Sequence, residues 1–151
     1  MAALFAALAP YKPTLVGTFP LGLQVEGSDL DLVCEAHDLD AFERVVSAFG
    51  APQRARDASV TRFAIAGVPV EVFAQPVPVT EQLAFRHMVI EGRLLMLFGE
   101  PLRAQVLALK RAGVKTEPAF AQVLGLSGDP YTELLTLELL SREQLRLQFA
   151  L

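Results

Sequence analysis

Two acidic residues in the first third of the chain, Asp29 and Asp31, are separated by one residue within an otherwise apolar run. Because side chains of a β-strand alternate between faces, a strand here would direct both carboxylates to one side and Leu30 and Leu32 to the other. Carboxylate oxygens are the ligands that Mg²⁺ prefers. The spacing therefore predicts half of a divalent-cation site, although an Asp-x-Asp pair alone is also typical of a solvated sheet face.

A Gly-Thr pair, Gly17 and Thr18, precedes Asp29 by ten intervening residues. Glycine lets the backbone approach a phosphate closely, and threonine offers an amide and a hydroxyl to hold it. Phosphoryl and nucleotidyl transfer depend on metal ions that bridge carboxylates and phosphate oxygens. The combination predicts a site for Mg²⁺ (or Mn²⁺) and a nucleoside triphosphate.

A third carboxylate comes from Glu71, the one acidic residue in the apolar run 68–75. In a strand its side chain would lie on the face opposite Val70 and Val72. We expect Glu71 to complete the metal site from a neighbouring strand. The alternative is that it is an edge-strand charge that discourages aggregation.

Two arginines, Arg86 and Arg93, lie seven residues apart in a predicted helix and project from about the same side. They are candidates for contacts with triphosphate oxygens. The alternative is a solvated helix face on which His87 pairs with Glu91, four residues later. The spacing leaves both interpretations open.

The elements that must position these residues follow from apolar alternation and turn residues. Asp38 is a suitable N-cap for a helix through Phe49, and Gly67 lies between two alternating segments that predict a hairpin. The predicted strands cover residues 13–16, 28–36, 59–66 and 68–75.

The second half of the sequence is predicted to be helical. Thr80 is expected to cap a helix to about Phe98, and Ser141 with Gln144 forms the pattern of a capping box. Further helical segments are predicted at 101–112 and 119–124 and after the cap residue Asp129. The pattern predicts an α/β (α+β) fold: a small mixed sheet flanked by helices, with a helical C-terminal half.

Length and composition limit the classes of function. With 151 residues, 52% of them hydrophobic, the chain is expected to form a single domain over 1–151, with an α/β core at 1–75 and a helical half at 80–151 packed on it. The high apolar content makes a homodimer plausible. The net charge of −4 argues against an extended nucleic-acid surface.

The compartment is predicted from two features. Cys34 is the one cysteine of the chain, which excludes an internal disulfide and fits a reducing compartment. No apolar run approaches the roughly 20 residues that cross a bilayer, so no membrane association is expected. The predicted location is the cytoplasm.

The run from Gly17 to Leu32 resembles the signature of the polymerase-β-like nucleotidyltransferase superfamily: a hydrophobic residue, Gly, Gly or Ser, about ten residues, then Asp-hydrophobic-Asp-hydrophobic. Gly22 and Ser28 also match its small bacterial members. Nearly the full length, through the segments 86–88, 115–118 and 128–131, is similar to an uncharacterised bacterial family of small predicted nucleotidyltransferases.

The resemblance implies that Asp29, Asp31 and Glu71 bind metal and that Gly17 and Thr18 hold phosphate. The nucleotide-binding site would then also include Ser28, Arg86 and Arg93. The implied reaction moves a nucleoside monophosphate group from a triphosphate to an acceptor that the sequence does not identify. The sequence departs from the family pattern at two positions that bear on catalytic turnover. Thr18 replaces the usual Ser or Gly, and Leu21 stands where small relatives often carry Arg.

Two other functions fit the same sequence. The first is a non-catalytic module that keeps the fold to bind a nucleotide, a small ligand or a protein partner. The second is a transferase that modifies a small molecule such as a sugar or an aminoglycoside.

Overall fold

The computed structural model describes residues 1–149 of the chain. The strands are β1 (Thr14–Val16), β2 (Leu30–Glu35), β3 (Pro52–Ala55), β4 (Ala58–Ile65) and β5 (Val68–Gln75). The α-helices are α1 (Ala2–Leu8), α2 (Thr18–Leu21), α3 (Leu39–Val46), α4 (Leu83–Arg111), α5 (Thr116–Leu124), α6 (Pro130–Thr136) and α7 (Arg142–Gln148).

The five strands form one mixed sheet in the order β1-β2-β5-β4-β3. β2 and β5 run parallel at its centre, and the other neighbouring pairs are antiparallel. This confirms the predicted mixed α/β class with a helical C-terminal half. β3 was not predicted, because its short sequence contains a proline and three of its four residues are exposed, as is usual for an edge strand.

The chain divides into two compact units. The sheet unit contains Met1–Pro20 and Gly27–Phe85, and the helical unit contains Leu21–Glu26 and the chain from Arg86 onward. The division falls a few residues after the predicted boundary at 75–80, and the segment 21–26 groups with the helical unit rather than with its sequence neighbours.

One face of the sheet packs against α1 and α3. Alternate residues of β2 and β5 enter this core, where they meet helix residues such as Phe42. Cys34 is fully buried there, and burial raises the pKa of its thiol to about 12. The buried cluster consists of Leu4, Leu8, Leu32, Cys34, Ala36, Phe42, Val46, Val70, Val72 and Ala74.

The helical unit has its own apolar core. It is formed by α4 together with the shorter helices that follow, and it includes Leu23 from the segment 21–26. Its largest fully buried side chains are Phe120, Leu23, Ile90, Leu94, Leu102, Leu134 and Leu145. Among residues 1–149, no helix is both long enough and apolar enough to cross a membrane.

Local sequence signals set several element ends as predicted. The side chain of Asp38 accepts a hydrogen bond from the amide of Ala41, which caps α3. Ser141 and Gln144 form both hydrogen bonds of the capping box at α7. The β4–β5 hairpin turns through residues 66 and 67, both with positive φ, as a tight two-residue turn requires.

The long helix α4 differs from prediction at its start. A single 3₁₀ turn, Val79–Glu81, precedes it, so Thr80 lies within that turn and the predicted cap at this residue is wrong. Gly99, with φ of 62° and ψ of −145°, separates two helical parts of α4. The first part, named the first arm, ends before Gly99, and the second part, named the second arm, continues through Pro101 to Arg111. The predicted break between two helices is therefore confirmed.

Candidate metal and nucleotide site

Asp31 of β2 and Glu71 of β5 are direct register partners on neighbouring parallel strands. Neighbouring strands lie about 4.8 Å apart, and partners in register share one face of the sheet. Both residues are half-buried. Their core-facing neighbours Leu32 and Val72 are partners in the same ladder and are buried on the other face. The sheet therefore brings together two of the three predicted metal ligands.

Asp29 lies outside the strand. β2 begins at Leu30, so the predicted strand from residue 28 is two residues too long at this end, and the pleat does not fix the direction of Asp29. Asp29 is exposed, and Ser28 beside it is half-buried. The predicted alternation that aligned Asp29 with Asp31 therefore does not operate at this position.

Gly17 packs directly against Asp31. Its φ of 71° lies in the left-handed region, and Val16 before it is the register partner of Asp31. A Cβ atom at position 17 would lie 3.3 Å from Cγ of Asp31 and closer still to the carboxylate oxygen Oδ2. Only glycine accommodates both the backbone conformation and this contact. The predicted turn thus lies beside one predicted ligand, and Thr18 follows it as the first residue of α2.

Glu71 has an ion-pair partner that sequence reasoning missed. Arg62 of β4 is the register partner of Glu71, and its Nη2 lies 2.6 Å from Oε2 of the glutamate. Asp31, Glu71 and Arg62 therefore form a row across three adjacent strands, here named the acid row. Glu71 belongs to a central strand, so the alternative of an edge-strand charge is wrong. The alternating pattern of β4 put Arg62 on this face, but its register could not be known.

The three predicted ligands do not form a ready three-ligand cluster. Among residues 1–149, no group of three or more His, Cys, Asp or Glu side chains has the arrangement of a metal site. Asp31 and Glu71 share the acid row, whereas Asp29 precedes it. The metal assignment of the triad stays a prediction.

The two arginines of the helical unit lie on one side of α4, as predicted, and both bind the segment 138–140. Arg86 forms a forked ion pair with the Glu138 carboxylate, with Nη2 at 2.6 Å from Oε2. Arg93 donates hydrogen bonds to the backbone carbonyls of Glu138 and Leu140. Glu138 raises the pKa of the Arg86 guanidinium, chiefly through its hydrogen bonds. A nucleotide would have to compete with these contacts.

His87 is buried, and its Nε2 lies 2.9 Å from the carbonyl oxygen of Tyr131. The alternative of a solvated helix face on which His87 pairs with Glu91 is therefore wrong, since both side chains are buried. A long-range backbone partner on α6 replaces the local side-chain partner, and a helical spacing rule could not reveal it.

A further cation in the helical unit was also missed. Nη1 of Arg103, on the second arm of α4, donates hydrogen bonds to the carbonyl oxygens of Leu21 and Gly22, at 2.7 and 3.2 Å. These contacts hold the segment that follows the Gly17 turn in sequence. The guanidinium comes from more than 80 residues away, so no local signal indicated it.

A family model described as a domain of unknown function, DUF4269, matches residues 1–137. The chain belongs to this family. A search of curated proteins and a search of solved structures found no match. All the predicted site residues lie within the stretch that matches the DUF4269 model, whereas Glu138 and Leu140, which bind the two arginines, lie just after it.

Proposed function

We propose that this DUF4269 protein is a Mg²⁺-dependent nucleotidyltransferase that moves a nucleoside monophosphate group from a triphosphate to an acceptor. In this reaction an oxygen of the acceptor bonds to the α-phosphorus of the triphosphate. The bond between the α-phosphorus and the oxygen that bridges it to the β-phosphorus breaks, pyrophosphate leaves, and the acceptor loses its proton. The acceptor is not identified. Action in the cytoplasm and a homodimeric state belong to the same proposal.

One observation carries the proposal: Gly17, Asp31 and Glu71 meet at one place on one face of the sheet. Asp31 and Glu71 are partners on parallel strands, and the positive-φ glycine packs against the Asp31 carboxylate. Glycine at this position lets the backbone lie directly against the Asp31 carboxylate, and the same absence of a side chain would let the turn approach a phosphate on a carboxylate-bound metal.

The donor set fits a hard cation. Asp31 and Glu71 supply carboxylate oxygens from adjacent strands, and Asp29 lies two residues before Asp31. These residues would hold Mg²⁺. When bound, the ion supplies neutralisation of the triphosphate charge and keeps its oxygens in line with the acceptor.

The remaining roles belong to groups that bind the nucleotide. The amide and hydroxyl of Thr18, beside Gly17, would hold phosphate oxygens, and Ser28 would line the same turn. Arg86 and Arg93 belong to the helical unit, where they bind the segment 138–140, and their contact with triphosphate oxygens stays a prediction from the sequence.

A specific observation favours a second candidate, a non-catalytic module that binds a nucleotide or a partner on the same fold. Arg62 already neutralises Glu71 in the acid row. A cation held in this way can replace a metal in balancing the carboxylates. The small-molecule transferase is a variant of the enzyme proposal and differs only in its acceptor.

The test is a calorimetric titration of ATP, GTP, CTP and UTP in the presence of Mg²⁺, with pyrophosphate release measured on the same samples. We expect the wild-type protein to bind at least one triphosphate and the Asp29→Ala/Asp31→Ala variant to lose this binding. Asp57→Ala is the matched control, because it removes an exposed carboxylate from the β3–β4 turn of the same unit.

Equal binding by the wild-type protein and the double variant would refute the site. Metal-dependent binding with no pyrophosphate release, whatever the acceptor offered, would favour the binding module over the enzyme.

A further inference from the structure

An ionisable side chain lies inside the helical unit, where an apolar residue would be expected. Glu91, on the first arm of α4, is 2% exposed, and its Oε1 atom has no hydrogen-bond partner. It lies one residue after Ile90, which belongs to the apolar core of this unit. A buried polar atom without a partner is costly, and a buried charge costs more. Glu91 therefore needs an explanation.

The charges of Lys110 and Glu117 act on Glu91, and they come from two other helical segments. Lys110, on the second arm of α4, is itself buried, and its Nζ donates a hydrogen bond of 2.5 Å to Oγ1 of Thr116 at the start of α5. Glu117, the next residue of α5, adds a second carboxylate. His87, one turn before Glu91, is directed to the carbonyl of Tyr131.

This cluster of Glu91, Lys110 and Glu117 joins three pieces of the fold. The break at Gly99 separates Glu91 from Lys110 along α4, and α5 begins only after a loop. Of the two carboxylates, Glu91 is fully buried and Glu117 is half-buried. When Glu91 keeps its proton, no uncompensated negative charge is buried in the core of this unit.

We propose that Glu91, with Lys110 and Glu117, forms a proton-linked latch in the helical unit: Glu91 keeps its proton in the folded protein, and loss of that proton loosens the unit. Burial, followed by repulsion from Glu117, raises the pKa of Glu91 well above its ordinary value of 4.5, and Lys110 acts in the opposite direction. The latch is independent of the proposed metal site.

The direction of the pH effect follows from proton binding. The folded protein holds the Glu91 proton at pH values where the unfolded chain has released it. Unfolding therefore releases a proton, and a rise in pH favours unfolding. The stability that this proton contributes is complete below the unfolded value of 4.5 and decreases as pH rises toward the raised pKa of the folded state.

The test compares the wild-type protein with Glu91→Gln, because a neutral amide imitates the protonated acid but cannot ionise. Urea unfolding is measured from pH 5 to pH 9. We expect the unfolding equilibrium constant of the wild type, relative to that of Glu91→Gln, to rise with pH by up to about tenfold per pH unit. Glu100→Gln is the matched control, since Glu100 is an exposed glutamate on the same helix, and it should show no such trend.

A second measurement covers the case in which Glu91→Gln does not fold. In the infrared spectrum of the folded wild-type protein, the carbonyl stretch of one carboxylic acid should persist to higher pH than the bands of the exposed carboxylic acids. The midpoint at which this band disappears should fall in Glu117→Gln, because that change removes the neighbouring negative charge. The absence of such a persistent band, or a Glu91→Gln variant that loses stability more strongly than the wild type as pH rises, would show an ionised Glu91 and overturn the latch.

Discussion

The sheet unit and the helical unit each contain notable carboxylates, in opposite surroundings. Asp31 and Glu71 lie half-buried on a sheet face with Arg62 beside them, and a glycine leaves room for one of them. Glu91 lies among core residues with one oxygen unpartnered. Acidic residues that occupy similar positions in an apolar sequence pattern can therefore differ in charge state, because the depth of burial differs. A metal ligand must keep its charge and remain reachable, whereas a buried acid is stabilised by keeping its proton.

The largest expected effect tests whether the Gly17 turn is built around Asp31. Gly17→Ala and Gly27→Ala both place a side chain at a positive φ, but only position 17 has Asp31 behind it, and a Cβ atom at Gly27 meets nothing within 4 Å. We expect Gly27→Ala to cost about 1–2 kcal/mol of unfolding free energy from backbone strain. Gly17→Ala should cost about 1–3 kcal/mol more, from the contact with the carboxylate.

The measurement for this pair is equilibrium urea unfolding of both variants and of the wild-type protein. In an Asp31→Ala background the additional cost at position 17 should disappear, because the contacting carboxylate is then gone. Equal costs at the two glycines would show that the turn does not depend on Asp31.

An intermediate effect concerns the acid row. Arg62→Gln removes the cation that pairs with Glu71, so a divalent metal no longer competes with it. We expect Mn²⁺ affinity to rise about tenfold, which corresponds to about 1.4 kcal/mol. Electron paramagnetic resonance of free Mn²⁺ measures this, with Arg44→Gln on the exposed surface of α3 as the control. Unchanged or weaker binding in Arg62→Gln would separate Glu71 from the metal.

The smallest expected effect restricts the pH response to the helical unit. Cys34 is fully buried in the sheet core, and its pKa of about 12 leaves little thiolate at pH 9. We expect a thiol reagent to label the folded protein hardly faster at pH 9 than at pH 7, and to label it completely in guanidinium chloride. Rapid labelling at pH 9 in the wild type but not in Glu91→Gln would show that loss of the Glu91 proton opens the sheet core as well.

Much of the fold could be predicted because its signals are local. The caps at Asp38 and Ser141, the hairpin around Gly67 and the alternation of β5 depend on residues close together in the chain. The ends of helices and strands are predicted less accurately than the elements themselves. The alternating pattern of β2 continues across Asp29, although the strand begins at Leu30, and no distinct signal marks the 3₁₀ turn that contains Thr80.

The candidate site could be predicted in its residue types but not in its pairing. That Glu71 lies opposite Asp31 depends on the register of two parallel strands about 40 residues apart, and the ion pair with Arg62 depends on a second register. The burial of Glu91 results from packing against other helices, so its sequence position suggested only a surface partner for His87. The two strand pairings and the burial of Glu91 all depend on contacts between residues that are far apart in the sequence.

The most direct test of the central claim compares Mn²⁺ binding, followed by electron paramagnetic resonance, in the wild-type protein, Asp31→Asn and Glu91→Gln. We expect the wild type and Glu91→Gln to bind Mn²⁺ equally and Asp31→Asn, which keeps the shape of the side chain but not its charge, to lose the site. Binding that survives in Asp31→Asn, or that disappears in Glu91→Gln, would contradict the assignment of the metal to the acid row.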